Sequence, residues 1–175
     1  TTYNKLMEES KKIYLWENKI TILENNINNY ENTPLAVRNI LNNPRLKGIH
    51  NTIGKLINVD DKYLIALDVA LGGASNYLVV DNEDYAISAI DYLKERKLGR
   101  ATFYPLNIIK PKYINKEVID NIRNIKGFIG VFSDLVEYDY QYKNVIDKEL
   151  GQVIVVDNAR TLNAVSYTHL TLPTI

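Results

Sequence analysis

The chain has 175 residues, with 21 basic and 21 acidic side chains and no cysteine. Its length suits one medium-sized domain with an extension, and its charge balance excludes a generally basic nucleic-acid coat. The absence of cysteine excludes disulfides, thiolate metal sites and a cysteine nucleophile. No stretch approaches the roughly 18 apolar residues of a membrane span, and the first residues lack a signal-peptide core, so we expect a soluble cytoplasmic protein.

The first 32 residues carry a heptad repeat of apolar side chains. Its members are Leu6, Ile13, Trp16, Ile20, Leu23, Ile27 and Tyr30. This spacing predicts the end of a coiled-coil arm in residues 1–32. A single helix cannot bury such a seam by itself, so it requires another chain or a returning segment of the same chain. An amphipathic helix packed on the following domain is the alternative.

A globular region is predicted to follow the arm. Thr33 and Pro34 are typical of a helix start and predict a short helix in residues 35–41. The apolar residues of 49–59 predict a strand, which leads into the first of two similar segments.

Residues 63–82 and 142–158 are similar to each other. A starting tyrosine, a Leu-Gly pair and a Val-Val-Asp-Asn run coincide in the two copies, which predicts two related halves. Each copy is typical of a short helix, a glycine stop, a buried strand and a capped second helix, so the fold class is α/β, of the mixed α+β kind. Asp81 or Asn82 would cap a helix in residues 84–96. The first short helix is predicted to bury one apolar face, formed by Ile65, Leu67, Val69 and Leu71.

Three elements are predicted between the copies. Gly99 is expected to end the helix of residues 84–96, and residues 101–104 are expected to form a strand that ends at Pro105. A loop, a helix in residues 116–124 and a strand in residues 127–132 then lead into the second copy.

Basic residues concentrate between the two copies, and this distribution predicts a positive face on a neutral protein. The candidates for contact with nucleic-acid phosphates are Arg96, Lys97, Arg100, Lys110 and Lys112. Tyr104 and Tyr113 lie nearby in sequence and can stack on bases. A solvated basic face without a ligand is the alternative interpretation.

The sequence offers little that is typical of catalysis. His50 and His169 lack partners at the spacing of a metal site or a catalytic triad, and the glycines around Lys55 are wrongly spaced for a phosphate-binding loop. Asp81 and Asp157 are the one acid pair that could act together, although helix capping explains both. We therefore expect no catalytic residue, metal or cofactor in this segment.

The segments described above resemble the hinge domain of the structural maintenance of chromosomes (SMC) family. The similar phrases lie in residues 48–57, 66–73, 78–80, 98–106, 133–136 and 150–156, of which 98–106 reads Leu-Gly-Arg-Ala-Thr-Phe-Tyr-Pro-Leu. The resemblance implies two pseudo-symmetric subdomains, in residues 33–126 and 127–164, that follow a coiled-coil arm. It also implies structural or interface roles for five glycines, which are Gly72, Gly73, Gly99, Gly130 and Gly151.

The resemblance implies a function without catalysis in this segment. Hinges of the family join two SMC subunits, so the expected partner is a second hinge in a homodimer, with DNA as a further partner of the basic surface and no membrane. The parent protein would be an ATPase of chromosome condensation and segregation, associated with the nucleoid, whose ATP-binding heads lie at the far ends of the arms.

The last residues depart from the family pattern. Residues 165–175 lack helical periodicity and the glycine-rich phrase that hinges carry, and they predict a non-native tail on an incomplete second subdomain. Two other functions stay open: a small-ligand regulatory module in which Gly72, Gly73 and Gly151 line a pseudo-symmetric cleft, and an enzyme that uses Asp81 and Asp157.

Overall fold

The computed structural model describes residues 2–28, 33–158, 160, 161, 163 and 164, and it divides into two units. The first unit contains one long helix, α1 (Thr2–Asn28). Among the described side chains, the heptad residues are exposed: these are Leu6, Ile13, Trp16 and Ile20. The heptad members Leu23, Ile27 and Tyr30 lie outside the described side chains. No helix of the described residues is long and apolar enough to cross a membrane.

The second unit begins with a half that contains four α-helices, two 3₁₀ turns and four strands. In chain order they are α2 (Leu35–Leu41), β1 (Ile49–Thr52), α3 (Ile53–Leu56), β2 (Asn58–Val59), a 3₁₀ turn (Asp61–Tyr63), α4 (Leu64–Leu71), a second 3₁₀ turn (Gly72–Asn76), β3 (Leu78–Val80), α5 (Glu83–Arg96) and β4 (Phe103–Pro105).

The second half repeats this order of elements. They are α6 (Lys116–Ile122), β5 (Phe128–Val131), α7 (Phe132–Leu135), β6 (Val136–Glu137), a 3₁₀ turn (Tyr140–Tyr142), α8 (Lys143–Leu150) and β7 (Ile154–Val156), and the described residues 160, 161, 163 and 164 are helical. The structural repeat therefore starts earlier than the sequence repeat, because α6 corresponds to α2 although the two helices share little sequence.

Three small sheets connect these elements. The first has the order β1-β3-β4, in which β1 is antiparallel and β4 is parallel to β3. The second pairs β2 with β6 and so joins the two halves. The third pairs β5 with β7. Both β1 and β5 shift register at their second residue, which is His50 in one half and Ile129 in the other.

The main hydrophobic core is shared by the two halves. Ile53, Leu67 and Val79 of the first half pack with Phe132 and Ile146 of the second. Full burial of each such side chain contributes about 1.5–3 kcal/mol. A second core lies between α2, α5 and the first sheet, and a third lies between α6 and the β5–β7 sheet. The predicted subdomain boundary at residue 126 assigns α6 to the first subdomain, whereas α6 packs on the sheet of the second half. The boundary stays a prediction.

Several local predictions were wrong. The strand predicted in residues 49–59 is interrupted by α3, a turn of helix between β1 and β2. Helix α5 ends at Lys97 in the left-handed conformation, at φ 54°, two residues before Gly99. In α4, Leu67 and Leu71 are buried, but Ile65 and Val69 face solvent with 82% and 77% of their surface exposed.

Candidate functional site: open sheet edges and a basic pocket

Strand β4 forms one edge of the first sheet. It is held against β3 by the Leu78 N–H, which donates to Thr102 O, and by the Leu106 N–H, which donates to Val80 O. Within the described residues β4 has no strand on its other side. An open strand edge presents unpaired backbone groups and is a template for pairing with another chain.

The side chain of Tyr104 fixes β4 to the second half of the molecule. Its hydroxyl donates to Glu149 Oε1 at 2.5 Å, and its ring packs edge-on against Tyr77 with centroids 5.4 Å apart. Burial of the phenol has the largest effect on the pKa of Tyr104, and the hydrogen bond to the Glu149 carboxylate has the next largest. Together they raise this pKa well above its ordinary value. The edge strand is therefore anchored where it meets α8.

Strand β7 has no counterpart of β4 among the described residues. The first half has a three-stranded sheet, whereas β7 pairs with β5 alone. The two halves therefore present different edges: β4 in the first half and β7 itself in the second.

Aromatic side chains connect the two halves. Tyr63 packs edge-on against Phe132 at 6.4 Å between centroids, and Tyr142 packs edge-on against His50 at 5.3 Å. The His50 ring also bridges two partners, with Nδ1 2.8 Å from Tyr142 Oη and Nε2 2.5 Å from Asp81 Oδ1. Since a carboxylate only accepts, Nε2 carries a proton and donates to Asp81.

The acid pair does not form one site. Asp81 binds His50, while Asp157 accepts a hydrogen bond from the Thr161 hydroxyl at 2.9 Å. Capping is carried by the following residue in each copy: Asn82 Oδ1 accepts from the Tyr85 N–H, and Asn158 Oδ1 accepts from the Thr161 N–H. Asn82, one of the two residues predicted to cap the helix of the first copy, therefore carries that cap, whereas capping by Asp81 and Asp157 was wrong. Within the described residues no cluster of three His, Asp or Glu side chains could hold a metal.

A basic pocket lies at the carboxyl-terminal end of α5, with a volume of about 580 Å³. It is lined by Ile90, Leu93, Lys94, Lys97, Gly99, Arg100 and Ala101. Positive side chains at the end of a helix are stabilised by the helix dipole. No ion pair of the described residues involves Lys94, Lys97 or Arg100, so the pocket keeps a net positive charge.

The structure brings only part of the predicted basic set together. Lys97 and Arg100 line this pocket, and Lys94, which the sequence placed in the wider basic run, joins them. Arg96, Lys110 and Lys112 are not among its lining residues. The signal for Lys94 was its place in the same basic run, three residues before Lys97.

The five predicted glycines have different surroundings. A side chain at Gly72 or Gly73 would meet no atom within 4 Å, whereas one at Gly151 would overlap the Lys112 carbonyl oxygen. Gly99 has φ 97° beside the basic pocket, and Gly130 lies inside β5. Gly151 lines a second cavity that contains neither Gly72 nor Gly73, so these glycines do not line a common cleft.

Residues 46–165 match the family model of the SMC proteins flexible hinge domain. Among curated proteins, the chromosome partition protein Smc of Bacillus subtilis is 36% identical over 119 residues, which is 68% of this chain and 10% of that protein. The chain thus spans about a tenth of the length of that relative.

Solved hinge structures are also similar to the chain. An asymmetric dimer of the Geobacillus stearothermophilus SMC hinge domain matches with a TM-score of 0.86 and 34% identity, over 95% of this chain and 69% of that one. The Pyrococcus furiosus Smc hinge domain with an extended coiled coil matches with a TM-score of 0.64 and 33% identity, over 92% of this chain and 55% of that one.

Proposed function

Because the chain belongs to the flexible hinge domains of the SMC proteins, we propose that it joins two copies of a chromosome partition protein through the edges of its sheets. The open edge of β4 carries this proposal, since it offers a rigid, anchored strand for pairing with a second hinge. The solved Geobacillus relative is itself described as a dimer.

The exposed heptad residues of α1 support an arm that pairs with another helix. Leu6, Ile13, Trp16 and Ile20 are each at least half exposed, although their spacing is that of a coiled-coil seam. We propose that these residues of α1 form the contact surface of the coiled coil. ATP binding and hydrolysis belong, in this proposal, to other parts of the parent protein, and we assign no reaction to this segment.

Self-association can be measured by sedimentation. A hinge extended to the length of the Geobacillus relative should sediment as a dimer at high micromolar concentration. The present chain should associate weakly, because in the part that the structure describes β7 has no counterpart of β4 on its outer side. An extended hinge that stays monomeric at this concentration would contradict the proposed role.

We further propose that the basic pocket contacts DNA phosphates. Lys94, Lys97 and Arg100 supply three positive charges that no described ion pair neutralises. Each phosphate contact releases counterions, so binding should weaken as salt rises, with a slope of about −0.9 per contact for duplex DNA.

Charge reversal tests the location of DNA contact. The variant Lys94→Glu, Lys97→Glu, Arg100→Glu should lose affinity and flatten the salt dependence in a fluorescence anisotropy titration. Lys110→Glu, Lys112→Glu is the matched control, because these lysines lie outside the pocket. If the pocket variant and the unchanged protein have equal affinity and equal salt slope, the pocket does not contact DNA.

A further inference from the structure

A groove runs along β5, the first strand of the second half. Its cavity of about 500 Å³ is lined by all four residues of β5, and we call it the β5 groove. One wall includes Ile114, Ile119 and Arg123, and the other includes Asp134, Leu135 and Lys143.

The layers of the fold place this groove at the outer edge of β5. Helix α6 packs on the sheet face that carries Phe128, Ile154 and Val156. Helices α7 and α8 contribute to the core on the other face, together with Val155. A cavity that touches both layers and β5, but no residue of β7, opens on the side of β5 away from β7.

The backbone of β5 supports the same placement. Within the described residues, β5 pairs with β7 alone. The Phe132 N–H donates to Val153 O, toward the β7 side of the sheet. Since backbone groups of successive residues in an antiparallel strand alternate in direction, the N–H and C=O of Val131 point toward the groove.

One end of the groove is held by a buried carboxylate. Asp147 is 3% exposed, and its Oδ2 accepts hydrogen bonds from Tyr113 Oη at 2.8 Å and from Lys143 Nζ at 2.5 Å. The Tyr113 hydrogen bond joins the segment before α6 to α8. The contact with Asp147 neutralises Lys143, and this hydrogen bond raises the pKa of Lys143 above its ordinary value.

Two charges of the groove stay uncompensated within the described residues. Arg123 lies on the α6 wall and Asp134 on the α7 wall, and neither forms a described ion pair. Side chains of an extended peptide alternate between the two faces of a sheet. An added strand with adjacent acidic and basic residues would therefore direct the acid toward Arg123 and the base toward Asp134.

We propose that the β5 groove binds an extended segment of a partner polypeptide as an added strand, with adjacent acidic and basic residues between apolar ones. Backbone hydrogen bonds to the edge of β5 provide affinity, and the two walls select the side chains. This edge differs from the β4 edge that we assign to hinge association, so both can be occupied at once.

A defined peptide tests the groove. The capped hexapeptide Thr-Val-Glu-Lys-Val-Thr is titrated into the ¹⁵N-labelled chain, and the amide resonances of residues 128–135 should shift with saturation. Val131→Pro removes the outward N–H at a residue whose φ of −80° already suits proline. Loss of one backbone hydrogen bond should weaken binding roughly three- to tenfold.

Charge swaps keep the test independent of folding. Arg123→Glu should weaken binding of the hexapeptide roughly two- to fivefold, and a peptide with Lys-Lys at its centre should recover the loss. Arg123 and Asp134 are both exposed, so Arg123→Glu leaves the core intact. Peptides with Glu-Glu or Lys-Lys should bind the unchanged protein less well than Glu-Lys does.

Three results of the peptide titrations would overturn the inference. They are shifts of the β4 resonances instead of the β5 resonances, equal binding by Val131→Pro, and equal binding of all three peptides. A loss of self-association in Val131→Pro would assign the groove to a second copy of this chain, and that result would also refute the partner proposed here. The hinge proposal has a separate readout, since sedimentation of the extended hinge depends on the β4 edge.

Discussion

At the scale of single residues, two hydrogen bonds tie the halves of the molecule together, and a third supports one of them. Tyr104 binds Glu149 across the halves, and His50 bridges Asp81 and Tyr142. The contacts of Tyr104 with Glu149 and of His50 with Tyr142 lie at half-buried sites, where an unmade hydrogen bond costs more than in water.

Removal of the Tyr104 hydroxyl should destabilise the fold. Tyr104→Phe leaves the Glu149 carboxylate without its donor, and the free energy of unfolding should fall by about 1–3 kcal/mol. Urea unfolding followed by circular dichroism measures this change. Tyr140→Phe is the control, because its side chain is 80% exposed. Equal losses in the two variants would contradict the role of the hydrogen bond.

The same variant should change the alkaline limit of stability. The pKa of Tyr104 is raised in the folded state above its ordinary value of 10.0, so the unfolded phenol ionises first as pH rises. Stability is full below about pH 10 and falls above it, and Tyr104→Phe should reduce that fall between about pH 10 and about pH 12. An unchanged pH profile of the urea midpoint would contradict this.

The sequence could not predict these residue contacts. His50 lies 31 residues from Asp81 and 92 from Tyr142, and only the fold brings them together. The capping asparagines could be predicted more nearly, because both copies carry an Asp-Asn pair at the expected start of a helix. The choice between the two residues depends on where each helix starts, which sequence patterns fix only to within a few residues.

At the scale of elements, equivalent helices of the two halves have different surroundings. The outer face of α8 is covered by the segment around Tyr113, whose carbonyl also accepts from Gln152 Nε2 at 3.0 Å. The outer face of α4 is exposed, with Ile65 and Val69 in solvent. The repeated sequence predicted both helices but not this difference, because the covering segment lies outside the repeat.

A matched pair of glycine substitutions tests this asymmetry. Gly151→Ala places a methyl group against the Lys112 carbonyl oxygen and should cost about 1–3 kcal/mol. Gly73→Ala places one where no atom lies within 4 Å, and it should change stability by less than about 0.5 kcal/mol. Thermal unfolding of both variants measures the contrast. A tolerated Gly151→Ala would show that the segment around Lys112 does not pack as described.

At the scale of the whole molecule, we expect the globular unit to unfold cooperatively, because its main core contains residues of both halves. The predicted α/β class and its two related halves are confirmed, and so is the resemblance to SMC hinges. Residues 53–56 were assigned to a strand because a short apolar run has no distinguishing period. Their helical turn is set by packing of Ile53, which is fully buried in the shared core.

A core substitution in one half should therefore weaken the other. Ile146→Ala removes a fully buried side chain of α8 and should cost about 2–5 kcal/mol. Native-state hydrogen exchange should show the same loss of protection at the Val79 amide of the first half as at amides of the second. Ile65→Ala, on an exposed face, is the control. Loss confined to the second half would contradict a shared unfolding unit.

The register of β2 and β6 has a consequence for synthesis on the ribosome. Asn58 pairs with Glu137, and these residues occupy the same position of the repeat, so each half meets the other across a self-complementary surface. The first half leaves the ribosome before its intended partner exists. During that interval it can pair with the first half of a neighbouring nascent chain, so crowded polysomes favour a misassembled species that dilute refolding avoids.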